Sequence, residues 1–393
     1  MDTTVYILLD ELYSRIRAEE DCASALSRQI EWLRGQGCRE AVLIDARDAD
    51  TDVTEKLGQK LALRAYIGKD AFAAALEDAE SAHCVMIQAG FPFGMELSCF
   101  FEQCARCADG LLLALRYSEE KTPDTRYVFW GSSVIEFMMR ENCSEERYVY
   151  GGLCAGTRAF FLENVPQANL DTEYFRQVFD VGKLHGFPIP MWNHDPAKIS
   201  EDAPLPALFL DRDGVLLEDT GYINDPETLV YNDALLEALA DCDYLRKGAA
   251  IVIVSNQAGI AKGLVTREEA EAVNARVCAH MQEIGLAVDG VWYCPYHEDG
   301  EIPELSRGSL RRKPSPGMLL LAAEALHLDL ARSLMAGDSE SDRIALPYLE
   351  TFLFSDEFPY AHEQKGGIAD LLQTIARKFG GEAELNDQAA ENG

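Results

Sequence analysis

The sequence predicts an α/β protein of two Rossmann-like three-layer αβα domains, on three observations. Short apolar runs alternate with helical stretches along most of the 393 residues, as in βαβ units around a mostly parallel sheet. In the second half, apolar runs end in Asp211, in Ser255 and in Gly337-Asp338, the polar groups that such folds collect at the carboxyl edge of the sheet. Between the halves, 193–206 holds three prolines and little periodicity, which reads as a connection. The expected division is a domain over 1–195, a linker over 196–206, a second domain over 207–379 and a disordered acidic tail over 380–393.

In the first half, 5–9 reads as a strand, 23–36 as a helix and 40–45 as a strand. A helix over 96–109 separates strand-like runs at 84–88 and 110–117. Cys104 and Cys107 are the one Cys-x-x-Cys spacing, and with no second pair they read as buried helix-face residues. In the second half the strands are 207–210, 251–255 and the run opening at Ser333, with a helix from Met318.

The chemistry lies in Ala207-Leu-Phe-Leu-Asp-Arg-Asp-Gly-Val-Leu216. At a strand end, side chains two apart point the same way, so Asp211 can attack while Asp213 moves protons. That suits phosphate ester hydrolysis if a cation offsets the charge, although Asp-x-Asp-Gly also occurs in calcium loops and plain turns. Three segments follow in order: Ser255 with Asn256-Gln-Ala-Gly-Ile-Ala-Lys-Gly263, then Arg312-Lys313-Pro314, then Gly337-Asp338 with Asp342 four residues on.

These four segments resemble the four motifs of the haloacid dehalogenase (HAD) phosphatase superfamily. Asp219-Thr-Gly-Tyr222, Tyr293-Cys-Pro295 and Arg312-Lys-Pro-Ser-Pro-Gly-Met-Leu319 narrow the resemblance to one branch, the D-glycero-D-manno-heptose 1,7-bisphosphate 7-phosphatases and their histidinol-phosphatase relatives. It covers about 207 to 355. It implies a HAD-like fold with a minimal cap, Asp211 as nucleophile forming an aspartyl-phosphate, and Asp213 as general acid and base. Ser255 and Lys313 would hold the phosphoryl oxygens. Magnesium would sit on Asp211, the carbonyl of Asp213 and Asp338, with Asp342 orienting Lys313 or the metal shell. Asp219, Gly221, Tyr222, Asn256, Gln257 and Arg312 would contact substrate. The branch often carries a zinc loop, but here its His falls on Tyr296 and its later Cys positions on Ser309 and Arg311. Cys294 and His297 give at most two of four ligands, so no zinc is expected. The 296–310 loop should then be held by packing alone or be mobile.

A second resemblance covers about 5 to 195. Ser27 to Ile44, Gly151 to Leu162 read as a strand, and Gly182-Lys-Leu-His-Gly-Phe-Pro188 with Trp192 look like sugar-1-phosphate nucleotidyltransferases. That family cradles a triphosphate in a glycine loop. The matching Leu9-Asp-Glu-Leu-Tyr-Ser-Arg15 puts Asp10, Glu11 and Tyr13 where glycines belong, keeping only Arg15. The expected lysine has no counterpart in 18–24. The metal-binding aspartates fall on Phe91 and on His194, unless the second slips to Asp195. The resemblance therefore implies a degenerate nucleotidyltransferase-like domain without catalysis.

A formal charge of -32 argues against nucleic acid or anionic membrane as partner, so a phosphorylated sugar needs a locally cationic site. There is no signal-like amino terminus and no spanning run, and the 11 cysteines form no paired framework, as in a cytoplasmic protein with reduced thiols. The expected activity is magnesium-dependent hydrolysis of the 7-phosphate of heptose 1,7-bisphosphate, in the making of nucleotide-activated heptose for lipopolysaccharide or capsule. Alternatives are a bifunctional heptose-1-phosphate nucleotidyltransferase/phosphatase and a histidinol-phosphatase-like phosphomonoesterase with an N-terminal binding module. The first domain would serve a homo-oligomer or a docking partner.

Overall fold

The structure is a computed structural model, and it describes residues 3–9, 22–35, 40–45, 58–59, 63–68, 70–88, 97–106, 109–119, 124–130, 133–140, 146–166, 170, 172–190, 204–246, 248–354 and 365–380. The chain divides into two compact units, Met1–Glu201 and Asp202–Gly393. Asp10, Glu11, Tyr13, Arg15, Phe91, Cys107, Trp192, His194, Asp195 and the tail beyond 380 lie outside the described residues.

The first unit holds β1 (Thr3–Leu8), α1 (Cys22–Gly35), β2 (Glu40–Asp45), β3 (Arg64–Ile67), α2 (Ala71–Glu77), β4 (His83–Gln88) and α3 (Leu97–Arg106). It continues with β5 (Leu111–Ser118), β6 (Asp124–Trp130), β7 (Ser133–Arg140), β8 (Arg147–Thr157), α4 (Arg158–Glu163), α5 (Thr172–Asp180) and β9 (Leu184–Pro188). Its nine strands run in the order β3-β2-β1-β4-β8-β5-β9-β7-β6. β1 is buried along its whole length, as a strand covered on both faces must be. The expectation of a mostly parallel sheet needs correction, because β8 runs antiparallel to both β4 and β5 and β6 to β7. Apolar runs mark where strands lie but not which way they point. The expected strand through Leu162 also stops early: Thr157 Oγ1 accepts from Phe160 N at 3.1 Å, and that cap starts α4.

The second unit carries β10 (Ala207–Leu210), α6 (Asp233–Ala240), α7 (Asp243–Arg246), β11 (Ala250–Asn256), α8 (Ala258–Ala261), α9 (Arg267–Glu283) and β12 (Gly290–Cys294). α10 (Gly317–Leu326), β13 (Leu334–Gly337), β14 (Glu350–Leu353) and α11 (Lys365–Phe379) follow. Its sheet, β12-β11-β10-β13-β14, is parallel throughout. β10 lies at its centre, and Leu208 and Leu210 pack with Val273, Val277, Met281, Leu371 and Ile375 from α9 and α11. α9 opens on a capping box between Thr266 and Glu269. Its buried positions Ala270, Val273, Asn274, Val277 and Met281 form one face at helical spacing. The polar member of that face, Asn274, serves the site.

Candidate active site

The parallel sheet sets the first acid. Asp211 N donates to Ala336 O at 3.0 Å, one ladder bond beyond β10, so the side chain emerges at the carboxyl edge beside β13. The turn that follows needs glycine: Gly214 has φ +84°, and a Cβ there would lie 2.1 Å from Asp338 Oδ2. The turn thus leaves room for the Asp338 carboxylate.

Lys313 is the buried cation of the edge. Its Nζ lies 2.9 Å from Asp211 Oδ2 and 2.6 Å from Asp342 Oδ1, and donates to Val254 O at 3.1 Å. An ammonium has three hydrogens, so all are engaged, and a phosphoryl oxygen would have to displace or share one of these acceptors. The Lys313 backbone is clamped from both sides: Asn256 Oδ1 accepts from Lys313 N at 3.0 Å, and Asn256 Nδ2 donates to Lys313 O at 3.1 Å. Asn256, expected at the substrate, therefore has its amide committed to Lys313. Burial opposes the ammonium charge, yet Asp211 and Asp342 hold Lys313 above the ordinary lysine range. Burial pushes Asp211 up to about 7, with Lys313 opposing and the charges of Asp342 and Asp213 adding.

Asp213 is held by a second cation, to which the sequence reading gave no role. Arg212 is fully buried and grips Asp213 at both oxygens, Nε to Oδ1 and Nη2 to Oδ2, each 2.8 Å. Its Nη1 donates to Asn274 Oδ1 at 2.7 Å, which fixes the guanidinium from α9. Gln257 Nε2 donates to Asp213 Oδ2 and to Ser255 Oγ, both at 2.7 Å. Gln257, also expected at the substrate, is thus turned inward and ties Ser255 to Asp213.

Asp338 and Asp342 close the group. Asp342 is fully buried, and its Oδ2 accepts from Asp338 N, Ser339 N and Ser339 Oγ at 3.2, 3.0 and 3.0 Å. Both of its oxygens are thereby taken up, which fits an orienting role. Asp338 differs: among the described residues no side chain donates to its carboxylate, and burial with the Asp342 charge pushes it up to about 6. Oxygens of Asp211, Asp338 and Asp342 lie within 4.8 Å of one another. Such a set of hard oxygens, one unpaired, suits a magnesium ion on Asp211 and Asp338.

The 219–222 loop lies within electrostatic reach, since the Asp219 charge acts on Asp338. Asp219 Oδ1 accepts from Gly221 N at 2.9 Å, while Tyr222 is half exposed. Among the described residues Arg312 Nη1 is buried without a hydrogen-bond partner, an unmatched donor beside Lys313. The 296–310 loop is not held by packing alone. Glu301 N and Ile302 N donate to Ala261 O at 2.8 and 2.9 Å, and His297 N to Leu305 O at 3.2 Å. The Arg307 guanidinium stacks 3.9 Å from the centre of the Tyr296 ring, and His297 Nδ1 accepts from Asp299 N at 3.1 Å.

A family model described as polynucleotide kinase 3 phosphatase matches residues 223–362, all in the second unit. A relative from Yersinia pestis, D-glycero-beta-D-manno-heptose-1,7-bisphosphate 7-phosphatase, is 39% identical over 139 residues, covering 35% of this chain and 72% of the relative. Among solved structures, D,D-heptose 1,7-bisphosphate phosphatase from B. bronchiseptica in complex with magnesium and phosphate is 24% identical at a TM-score of 0.36, covering 44% and 99% of the two chains. HddC from Yersinia pseudotuberculosis is 14% identical at 0.36, covering 47% and 89%.

Proposed function

The chain belongs to the D-glycero-beta-D-manno-heptose-1,7-bisphosphate 7-phosphatase family, and from that premise we propose that its second unit hydrolyses the 7-phosphate of a heptose 1,7-bisphosphate. The observation that carries the reading is Lys313 between Asp211 and Asp342 at the carboxyl edge of a parallel sheet, with Asp338 unpaired beside them. Asp211 attacks phosphorus, the bond from phosphorus to the sugar oxygen breaks, and an aspartyl-phosphate forms. Asp213 gives its proton to the departing sugar oxygen and then takes one from the water that attacks the same phosphorus, which frees Asp211 and releases phosphate. To reach either oxygen, Asp213 must loosen part of its grip on Arg212 and Gln257. Ser255, Lys313 and Arg312 face the phosphoryl oxygens, and Asp219, Gly221 and Tyr222 face the sugar. Asp211, Asp338 and the Asp213 carbonyl, to which no described residue donates, would hold magnesium, whose two charges offset carboxylates and phosphate together.

We read the first unit as a nucleotidyltransferase-like domain whose sequence replaces the phosphate-cradling glycines by Asp10, Glu11 and Tyr13. The test is phosphate release by the full chain from a panel with both heptose 1,7-bisphosphate anomers, histidinol phosphate and common sugar phosphates. Fastest turnover of a heptose bisphosphate is expected. Turnover of histidinol phosphate alone would refute the substrate reading. Pyrophosphate release from nucleoside triphosphates with heptose 1-phosphate would refute the silent first unit.

A further inference from the structure

A bisphosphate brings a second anion that the reacting end does not use, and it approaches a chain of net charge -32. Some cation must receive that anion. Lys313 is buried with all three hydrogens engaged, and the partly exposed Arg312 beside it serves the transferred phosphoryl group in the proposed mechanism. Lys262 is different. The residue is partly exposed, its Nζ donates to Tyr222 Oη at 2.9 Å, and among the described residues no carboxylate pairs with it. That bond engages one of its three hydrogens.

The position of Lys262 is built by the fold. It follows α8, the single turn after Gln257, whose amide touches both Ser255 and Asp213. The Tyr222 ring lies against that turn at Gly259, where a Cβ would meet ring carbon Cδ1 at 2.8 Å. Any side chain at 259 would push the ring away. The Tyr222 loop also carries Asp219, whose charge reaches Asp338. One segment bonded to Asp213 and another within electrostatic reach of Asp338 are thus joined by one contact between a phenol and an ammonium. Such an exposed contact adds little to stability, about 0–1 kcal/mol. Its effect is to aim the ammonium.

We infer that Lys262, oriented by Tyr222, binds the phosphate that is not hydrolysed and so sets the preference for bisphosphorylated over monophosphorylated sugars. This deepens the proposed function and rests on it. Lys262 touches no reacting atom, so its binding energy appears only with substrates that carry the distal anion.

The experiment compares kcat/KM for a heptose 1,7-bisphosphate and the matching heptose 7-phosphate, using the full chain with magnesium. In Lys262→Met the preference for the bisphosphate is expected to fall roughly 10- to 100-fold, the size of one charge-assisted hydrogen bond, mainly through KM. Lys262→Arg should keep most of it. Tyr222→Phe should lose a smaller part, because the ammonium stays but is no longer aimed. An unchanged ratio in Lys262→Met, or an equal loss on both substrates, would overturn the inference while leaving the phosphatase reading intact. No wild-type turnover of any heptose bisphosphate would remove both.

Discussion

The least forgiving position in the site is Asp342. Its Oδ1 accepts from Lys313 at 2.6 Å and its Oδ2 from two backbone amides and a hydroxyl, all in a fully buried pocket. Asparagine has the same shape but only one accepting atom. If its oxygen faces Lys313, its amide meets the N–H groups of Asp338 and Ser339, donor against donor. If it flips, it meets the ammonium the same way. It cannot shift to escape, because a Cβ at Gly337 would already lie 2.1 Å from the Asp342 carboxyl carbon, so the seat is tight. Removing one partner of a buried ion pair costs about 3–5 kcal/mol. For a unit of this size that lowers the unfolding temperature by roughly 10 °C. Asp342→Asn is therefore expected to move the calorimetric transition of the second unit down by that amount, and to cut phosphate release by about 10²-fold through misplacement of Lys313. A transition within about 2 °C of wild type, which is no more than about 1 kcal/mol for a unit of this size, would refute the reasoning.

Five further outcomes follow from the site and the sequence. Gly214→Ala should abolish magnesium binding, read by calorimetric titration, because its Cβ would sit on Asp338 Oδ2 at a φ that favours glycine. Asp211→Asn should abolish turnover while the fold survives. Folding raises the Asp211 pKa to about 7, so its ionised form destabilises the metal-free protein above that pH and not below the ordinary carboxylate range. Measured in chelator, Asp211→Asn should accordingly unfold at a higher temperature than wild type at pH 8, with the gap closing towards pH 4. Protons on Asp211 and Asp338, at about 7 and 6, compete with the cation, so magnesium affinity should rise from pH 5.5 to 8 with measurable proton release; a flat profile would contradict that arrangement. Metal analysis of the purified protein should find no stoichiometric zinc, since Cys294 and His297 lack two further ligands in the sequence.

The sequence marked the ends of the site-bearing strands because those positions are local: an apolar run buried in a parallel sheet stops where a polar group appears. Asp211, Ser255 and Asp338 were legible for that reason. What each side chain touches was less so. Arg212 finds Asn274 across 62 positions, and Lys313 is clamped by Asn256 across 57. No local pattern carries such pairings, although a polar residue on the apolar face of α9 was a visible irregularity. Asn256 and Gln257 looked like substrate contacts because they follow a motif serine. The packing also turns their amides towards Lys313 and Asp213. In the first unit, the Gly131-Ser132 pair between two β-rich runs was an available hairpin signal for β6 and β7.

The charges of the site explain why the chain can place so many acids at one edge. When all four are ionised, Asp211, Asp213, Asp338 and Asp342 bring four negative charges, while Arg212 and Lys313 bring two positive ones, both buried. Two negative charges are left, the amount one divalent ion neutralises. The two cations also sort the acids by task. Arg212 holds Asp213 bidentately in reserve, and Lys313 with the backbone amides takes up Asp342 entirely. Asp211 keeps an ion pair on one oxygen, and Asp338 has none. The two carboxylates left short of compensation are ones whose pKa values burial raises, and they are the pair that a bound cation would hold in the ionised form. Attack on phosphorus requires Asp211 ionised, so the same residual charge that disfavours the metal-free site is what couples cation binding to nucleophile activation.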